Sequence, residues 1–139
     1  MLPRYLAIDY GTKRIGLAVN DPLGITVQPL PFVENNSAKI KALQKIIQEK
    51  EIKKIILGLP LALSGQEELA AQKVRGFAEE LRVLNLPLEF CDERLTTAAA
   101  HKMMLQFGIS ERDRRTKVDS LAACVLLDDY LRGTVCQKD

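Results

Sequence analysis

One stretch near the start of the chain constrains its fold more than any other: Tyr5-Leu6-Ala7-Ile8-Asp9-Tyr10-Gly11-Thr12-Lys13-Arg14-Ile15-Gly16-Leu17-Ala18-Val19. Two apolar runs flank a short polar turn containing glycine, which is the pattern of a β-hairpin. Asp9 stands at the end of the first run. Aspartate is depleted in strands, and a lone buried charge is costly. This carboxylate therefore calls for compensation by a metal, a cation or solvent. Lys13, Arg14 and the backbone N–H groups around Gly11 follow directly. A metal or phosphate site accounts for that arrangement. An Asx-type bond inside the turn accounts for Asp9 equally well.

The chain has 139 residues, which predicts one domain spanning residues 1–139. Hydrophobic residues make up 47%, enough to fill a core. Lys and Arg total 20 against 18 Asp and Glu, a net charge of +2, so charge balance neither requires nor excludes nucleic acid. The three cysteines, Cys91, Cys124 and Cys136, form no CxxC pair, and their odd count argues against a disulfide framework and a zinc site. Cys91 and Cys124 lie in apolar contexts and are expected to be buried thiols. The one histidine, His101, rules out a His-rich metal site and is assigned no chemistry. Met1-Leu2-Pro3-Arg4 leads straight into a strand, and no apolar run approaches ~18 residues, so neither signal peptide nor membrane span is expected. The expected setting is the cytoplasm.

In chain order, strands are predicted at residues 4–9 and 15–19. An irregular or edge strand follows at 25–33, where Pro29 and Pro31 interrupt the run. Asn35-Asn36-Ser37 is an N-cap signal for a helix over residues 37–51. Residues 53–60 form a continuous apolar run that suits a strand buried on both faces. Ser64 and Glu67 resemble a capping box for a helix over 66–84, and a strand is expected over 86–91. Strand, helix and strand in this span predict a right-handed βαβ unit. A helix over 97–107 ending at Gly108, a polar and basic segment over 109–117, and a last helix from Val118 to about Leu131 complete the reading. The final residues are expected to fray.

Asp92 and Glu93 stand at the C-terminal end of a predicted parallel strand, where open α/β sheets place their ligand sites. Asp119 lies in the first turns of an otherwise apolar helix. Converging with Asp9, such carboxylates would repel one another. A hard divalent ion, Mg²⁺ or Mn²⁺, relieves that conflict with oxygen ligands alone, and one or two ions suit phosphodiester hydrolysis. Each acid also has a structural reading. Thr116-Lys117-Val118-Asp119 fits a capping box, Asp92 could cap the next helix, and Glu93 could pair with Arg94. The basic run Arg112, Arg114, Arg115 and Lys117, like Lys13 and Arg14, is either a solvated surface or a neutralising surface for a phosphate backbone.

The blocks at residues 8–16, Gly58-Leu59-Pro60-Leu61, Asp92-Glu93-Arg94-Leu95-Thr96 and Lys117-Val118-Asp119-Ser120 occur in that order. Together they resemble the YqgF-type family, also described as Holliday-junction-resolvase-like proteins and as candidate pre-16S ribosomal RNA nucleases. The resemblance implies an α/β ribonuclease H-like fold with a five-stranded mixed sheet flanked by helices. It also implies a carboxylate metal site and a place in ribosomal RNA maturation. By motif, Asp9 matches the first-strand acid, Glu93 the acid of the Asp-Glu-Arg-Leu block and Asp119 the last-helix acid. Lys13, Arg14, Arg112, Arg114, Arg115 and Lys117 are the expected substrate contacts. The chain departs from the pattern at Ala62, where the family often has asparagine, although Gly65 is present.

The leading expectation is a metal-dependent nuclease acting on a ribosomal RNA precursor, or on branched DNA as a Holliday-junction resolvase. Two readings compete with it. Asp9-Tyr10-Gly11-Thr12 also resembles the phosphate loop of actin-like and sugar-kinase ATPases, although that fold needs two such lobes. The alternative is a non-catalytic nucleic-acid-binding module. Metal-dependent cleavage separates the first reading from both.

Overall fold

The structure, a computed structural model, describes residues 3–23, 26–60, 69–92, 111–132 and 136–138, excluding the side chains of 111–119 and 136–138. The described strands are β1 (Arg4–Tyr10), β2 (Arg14–Asn20), β3 (Val27–Glu34), β4 (Ile52–Leu59), β5 (Leu88–Asp92) and β6 (Cys136–Lys138). The described helices are α1 (Lys39–Lys50), α2 (Leu69–Leu81) and α3 (Glu111–Leu131). One sheet holds the strands in the order β3-β2-β1-β4-β5-β6. β1–β2, β2–β3 and β5–β6 pair antiparallel, while β1–β4 and β4–β5 pair parallel. The expected five-stranded mixed sheet is present, with a short sixth strand at its edge.

Side-chain alternation sorts the core into two layers. Leu6, Ile8, Ile15, Leu17, Ile55 and Leu57 join Leu43 of α1 and Phe77 of α2 on one face. Ala7, Ala18, Ile56 and Cys91 meet Ala123, Cys124, Leu126 and Leu127 of α3 on the other. The interior of β4, Ile55–Leu59, is buried throughout because it is covered on both sides. Among the described residues, no helix is long and apolar enough to cross a membrane.

Several expectations need correction. α1 starts at Lys39 with Ala38 in the cap position and no side-chain cap bond. Within the Asn35-Asn36-Ser37 signal it is Asn36 that acts, its Oδ1 accepting the Ala38 N–H at 2.9 Å in an Asx turn just before the helix. α2 ends at Leu81 and passes into a 3-10 turn at Arg82–Leu84, closed by Asn85 at φ 56°. β5 begins at Leu88 and extends through Asp92. The basic segment is helical, since α3 begins at Glu111. Glu, Arg and Lys are good helix formers, and missing apolar periodicity reports only that a helical turn covers no core. The chain end pairs with β5 instead of fraying. That register sets Cys136 opposite Cys91, and Cys91 is disulfide-bonded rather than a thiol. Cys124 is a buried free thiol, as expected. The predicted Ser64–Glu67 capping box, the helix over 97–107, Gly108 and His101 lie outside the described residues.

Candidate active site

Asp9 is the penultimate residue of β1 and is half-buried. Its alternation with Ala7 puts it on the face covered by α3. On the opposite face, Tyr10 stacks on Phe77 with ring centroids 4.4 Å apart. That stack fixes which face Asp9 occupies, because a one-residue slip would exchange the two side chains. Asp9 pairs with Gly16 on β2. On the β4 side, one step beyond the Ile8–Leu57 pair, stands Gly58. Asp9 is therefore flanked by two residues without side chains.

The turn after β1 is tightly built. A Cβ on Gly11 would lie 2.3 Å from the Arg14 carbonyl oxygen, so only glycine closes it without displacement. The Asn35 side-chain amide donates to the Gly11 carbonyl at 2.8 Å, and the Asn35 backbone N–H donates to the Lys13 carbonyl at 2.9 Å. These bonds tie the β1–β2 turn to the start of the β3–α1 connection. Lys13 and Arg14 are exposed there, and the Arg14 guanidinium carbon lies 5.3 Å from the centroid of the Phe32 ring.

α3 docks on the same face through Ser120, which is fully buried. Its hydroxyl donates to the Leu30 carbonyl at 2.6 Å and accepts the Leu17 N–H at 3.2 Å. Both backbone groups border a β-bulge: Ile15 pairs with Val33 and Leu17 with Leu30, so Gly16 opposes both Pro31 and Phe32. Ser120 therefore holds α3 beside Gly16, the cross-strand partner of Asp9. Asp119 precedes Ser120 in the chain, and its side chain lies outside the described residues. As the ninth residue of a helix beginning at Glu111, it is not a helix-start residue, and the capping-box reading is overturned.

Asp92 ends β5 in register with Leu59. Alternation with Phe90, which belongs to the α1/α2 core, sends it to the face opposite Asp9. Glu93 lies outside the described residues, as do the side chains of Arg112, Arg114, Arg115 and Lys117, whose positions fall on the first two turns of α3. Among the described residues there is no group of three or more His, Cys, Asp or Glu able to hold a metal. Ser120, Phe32 and Asn35 were missed by sequence reasoning. Ser120 alone carried a signal, as the last residue of the block containing Asp119.

The family model described as "RuvX: Holliday junction resolvase" matches residues 3–133. The chain belongs to this family. A relative from Koribacter versatilis, named "Putative pre-16S rRNA nuclease", is 41% identical over 131 residues, covering 92% of this chain and 86% of its own length. A relative of the same name from Dictyoglomus turgidum is 40% identical, covering 92% of this chain and 93% of its own length. Among solved structures, Thermus thermophilus RuvC in complex with a Holliday junction superposes with a TM-score of 0.62 at 14% identity. That match covers 98% of this chain and 99% of the RuvC chain. The ribonuclease H-like α/β fold is thereby shown, and the relatives' names support a nuclease acting on nucleic acid.

Proposed function

We propose that this RuvX-family chain is a metal-dependent endonuclease whose Asp9, Glu93 and Asp119 together bind one or two Mg²⁺ or Mn²⁺ ions. Its proposed substrate is the pre-16S ribosomal RNA precursor, cut during 5′-end maturation in the cytoplasm. The observation that carries this reading is the placement of Asp9 on the α3 face, between Gly16 and Gly58 and near the Ser120 anchor, which directly follows Asp119 along α3. Of the adjacent acids, Asp92 is on the other face, so Glu93 is the member of its block assigned to the site. The fit to a divalent ion rests on the donor set, which offers carboxylate oxygens alone. An ion bound there supplies charge neutralisation and activation of water against a phosphodiester. The chain's own contribution is positional. Tyr10 and the Gly11 turn fix Asp9, Ser120 fixes α3, and Lys13 and Arg14 neutralise flanking phosphates.

The test is cleavage of a pre-16S precursor and of a four-way DNA junction, side by side, with Mg²⁺, Mn²⁺ or chelator. Cleavage of the precursor that needs metal and falls by orders of magnitude in a folded Asp9→Asn variant is the expected result. A folded variant cutting at the parent rate, or cleavage indifferent to chelator, refutes the metal site. Preference for the junction moves the substrate to branched DNA.

A further inference from the structure

Beside the candidate site lies an open groove of about 600 Å³ between the β1–β2 turn and the β3–α1 connection. Its size falls within the ~300–1,000 Å³ range of small-molecule sites. Thr12, Lys13 and Arg14 form one wall, and Phe32, Glu34 and Asn35 form the other. We propose that this groove is a subsite for an unpaired nucleotide, its base stacked on the Phe32–Arg14 pair. The proposal rests on the nuclease reading only for its orientation, with the reacting phosphate on the Asp9 side.

Three observations carry it. The first is the cation–aromatic pair made by the Arg14 guanidinium, its carbon 5.3 Å from the Phe32 ring centroid. Rings and guanidinium planes are the surfaces on which single-stranded bases stack, and stacking accepts any base. The second is the bulge. Two residues, Pro31 and Phe32, oppose Gly16 alone, and a bulge of this kind re-aims a side chain. It brings Phe32 into the transverse row that runs through Gly16 to Asp9, two strand spacings or about 10 Å across the sheet. Gly16 itself is buried, so the ring marks the open, turn-side end of this row. The third is the polar lining. Lys13 is exposed beside the platform and suits a phosphate, while Glu34, the register partner of Arg14, offers a carboxylate acceptor for a base amino group. Asn35 is committed to the backbone of the turn at Gly11 and Lys13, which joins the two walls. A base inside a duplex has both faces covered and cannot use such a platform, so the subsite selects single strands.

The chain contains no tryptophan, so a Phe32→Trp variant carries a lone reporter at the platform. It is titrated in chelator, where cleavage plays no part, with a short single-stranded RNA, the DNA of the same sequence, and the corresponding duplexes. Saturable quenching by the single strands and none by the duplexes at equal nucleotide concentration is expected. The tighter of the two single strands identifies the chemistry the groove prefers. In parallel, labelled single strands are bound to Phe32→Leu and Phe32→Tyr. Leucine should weaken binding by roughly 5- to 100-fold with an unchanged salt slope, because the lost contact is stacking and not a phosphate contact. Tyrosine should restore it. Equal quenching by duplex, or a folded Phe32→Leu variant binding like the parent, overturns the subsite. A protein that binds single strands through Phe32 yet cuts nothing keeps the subsite and loses the nuclease reading. One that cuts while its binding ignores Phe32 keeps the nuclease reading and loses the subsite.

Discussion

Replacing Ser120 by Ala tests how α3 is fixed to the sheet. The hydroxyl bonds two backbone groups at the β2–β3 bulge, the Leu17 N–H and the Leu30 carbonyl. They belong to register partners beside the bulge, and with the hydroxyl gone each must find another partner or stay unsatisfied. Leaving a buried donor or acceptor unsatisfied costs ~1–3 kcal/mol for each group. Alanine returns roughly 0.5 kcal/mol through its better helix propensity. The expected net loss is about 1.5–5.5 kcal/mol, a large share of the ~5–15 kcal/mol that holds a typical domain together. A lower denaturant midpoint at unchanged slope would report it. Hydrogen exchange should show the Leu17 amide losing protection before the rest of β2. If the nuclease reading holds, cleavage should fall further than binding, because Asp119 is the neighbour of the lost anchor. A loss below ~0.5 kcal/mol with the Leu17 amide still protected would refute this reasoning, since the two groups would then have found other partners at no cost.

Two further outcomes follow from the same geometry. Burial, reinforced by the Asp128 carboxylate, pushes the Cys124 thiol from its ordinary 9.0 up to about 12. Its contribution to stability is thus complete below about pH 9 and is lost as pH rises toward 12, by up to ~4 kcal/mol. Cys124→Ala should flatten that decline in denaturation midpoints, and an equal slope in parent and variant would refute the assignment. Lys54 is distinguishable. Burial pulls it down, but hydrogen bonds to Glu89 and Tyr130 carry it above its ordinary 10.5, so its contribution persists to higher pH. Gly11→Ala should destabilise the β1–β2 hairpin by ~1–3 kcal/mol, because the added methyl meets a backbone carbonyl that cannot rotate away. A thermal melt indistinguishable from the parent's would show that the turn opens freely.

The parts of the fold legible in the sequence are those whose side-chain pattern has a single cause. Leu6, Ile8, Ile15 and Leu17 alternate with small residues because each strand is packed on both faces by different layers. The run through Ile55–Leu59 lacks alternation because both faces of β4 are covered. The first half of α3 escaped because its charged residues carry no apolar period, although they form a good helix. β6 escaped because a three-residue edge strand owes its place to β5 and not to its own composition. At the site, Asp9 was legible as an acid in an apolar strand. Its two glycine neighbours gained meaning only from the register. Phe32, lying between Pro31 and Val33, gave no hint of its position, since the bulge that redirects it arises from an unequal residue count on two strands.

The two faces of the sheet are built from different sizes of side chain, and this difference bears on where chemistry can occur. Leucines, isoleucines and Phe77 fill the α1/α2 face. The α3 face is floored by Ala7 and Ala18 and met from above by Ala123 and Cys124. Helix-to-sheet distance follows side-chain size at the contact, so α3 lies close enough for the short Ser120 side chain to reach strand backbone. At its other end, Tyr130 packs edge-on against Tyr5 with centroids 5.7 Å apart, and its hydroxyl accepts a hydrogen bond from Lys54 at 2.7 Å. Lys54 also forms an ion pair with Glu89. The helix is thus pinned at two points about three turns apart over a thin floor. A large residue in that floor would lift both pins together. The backbone beside Asp119 is therefore tied to the sheet through the adjacent Ser120 anchor.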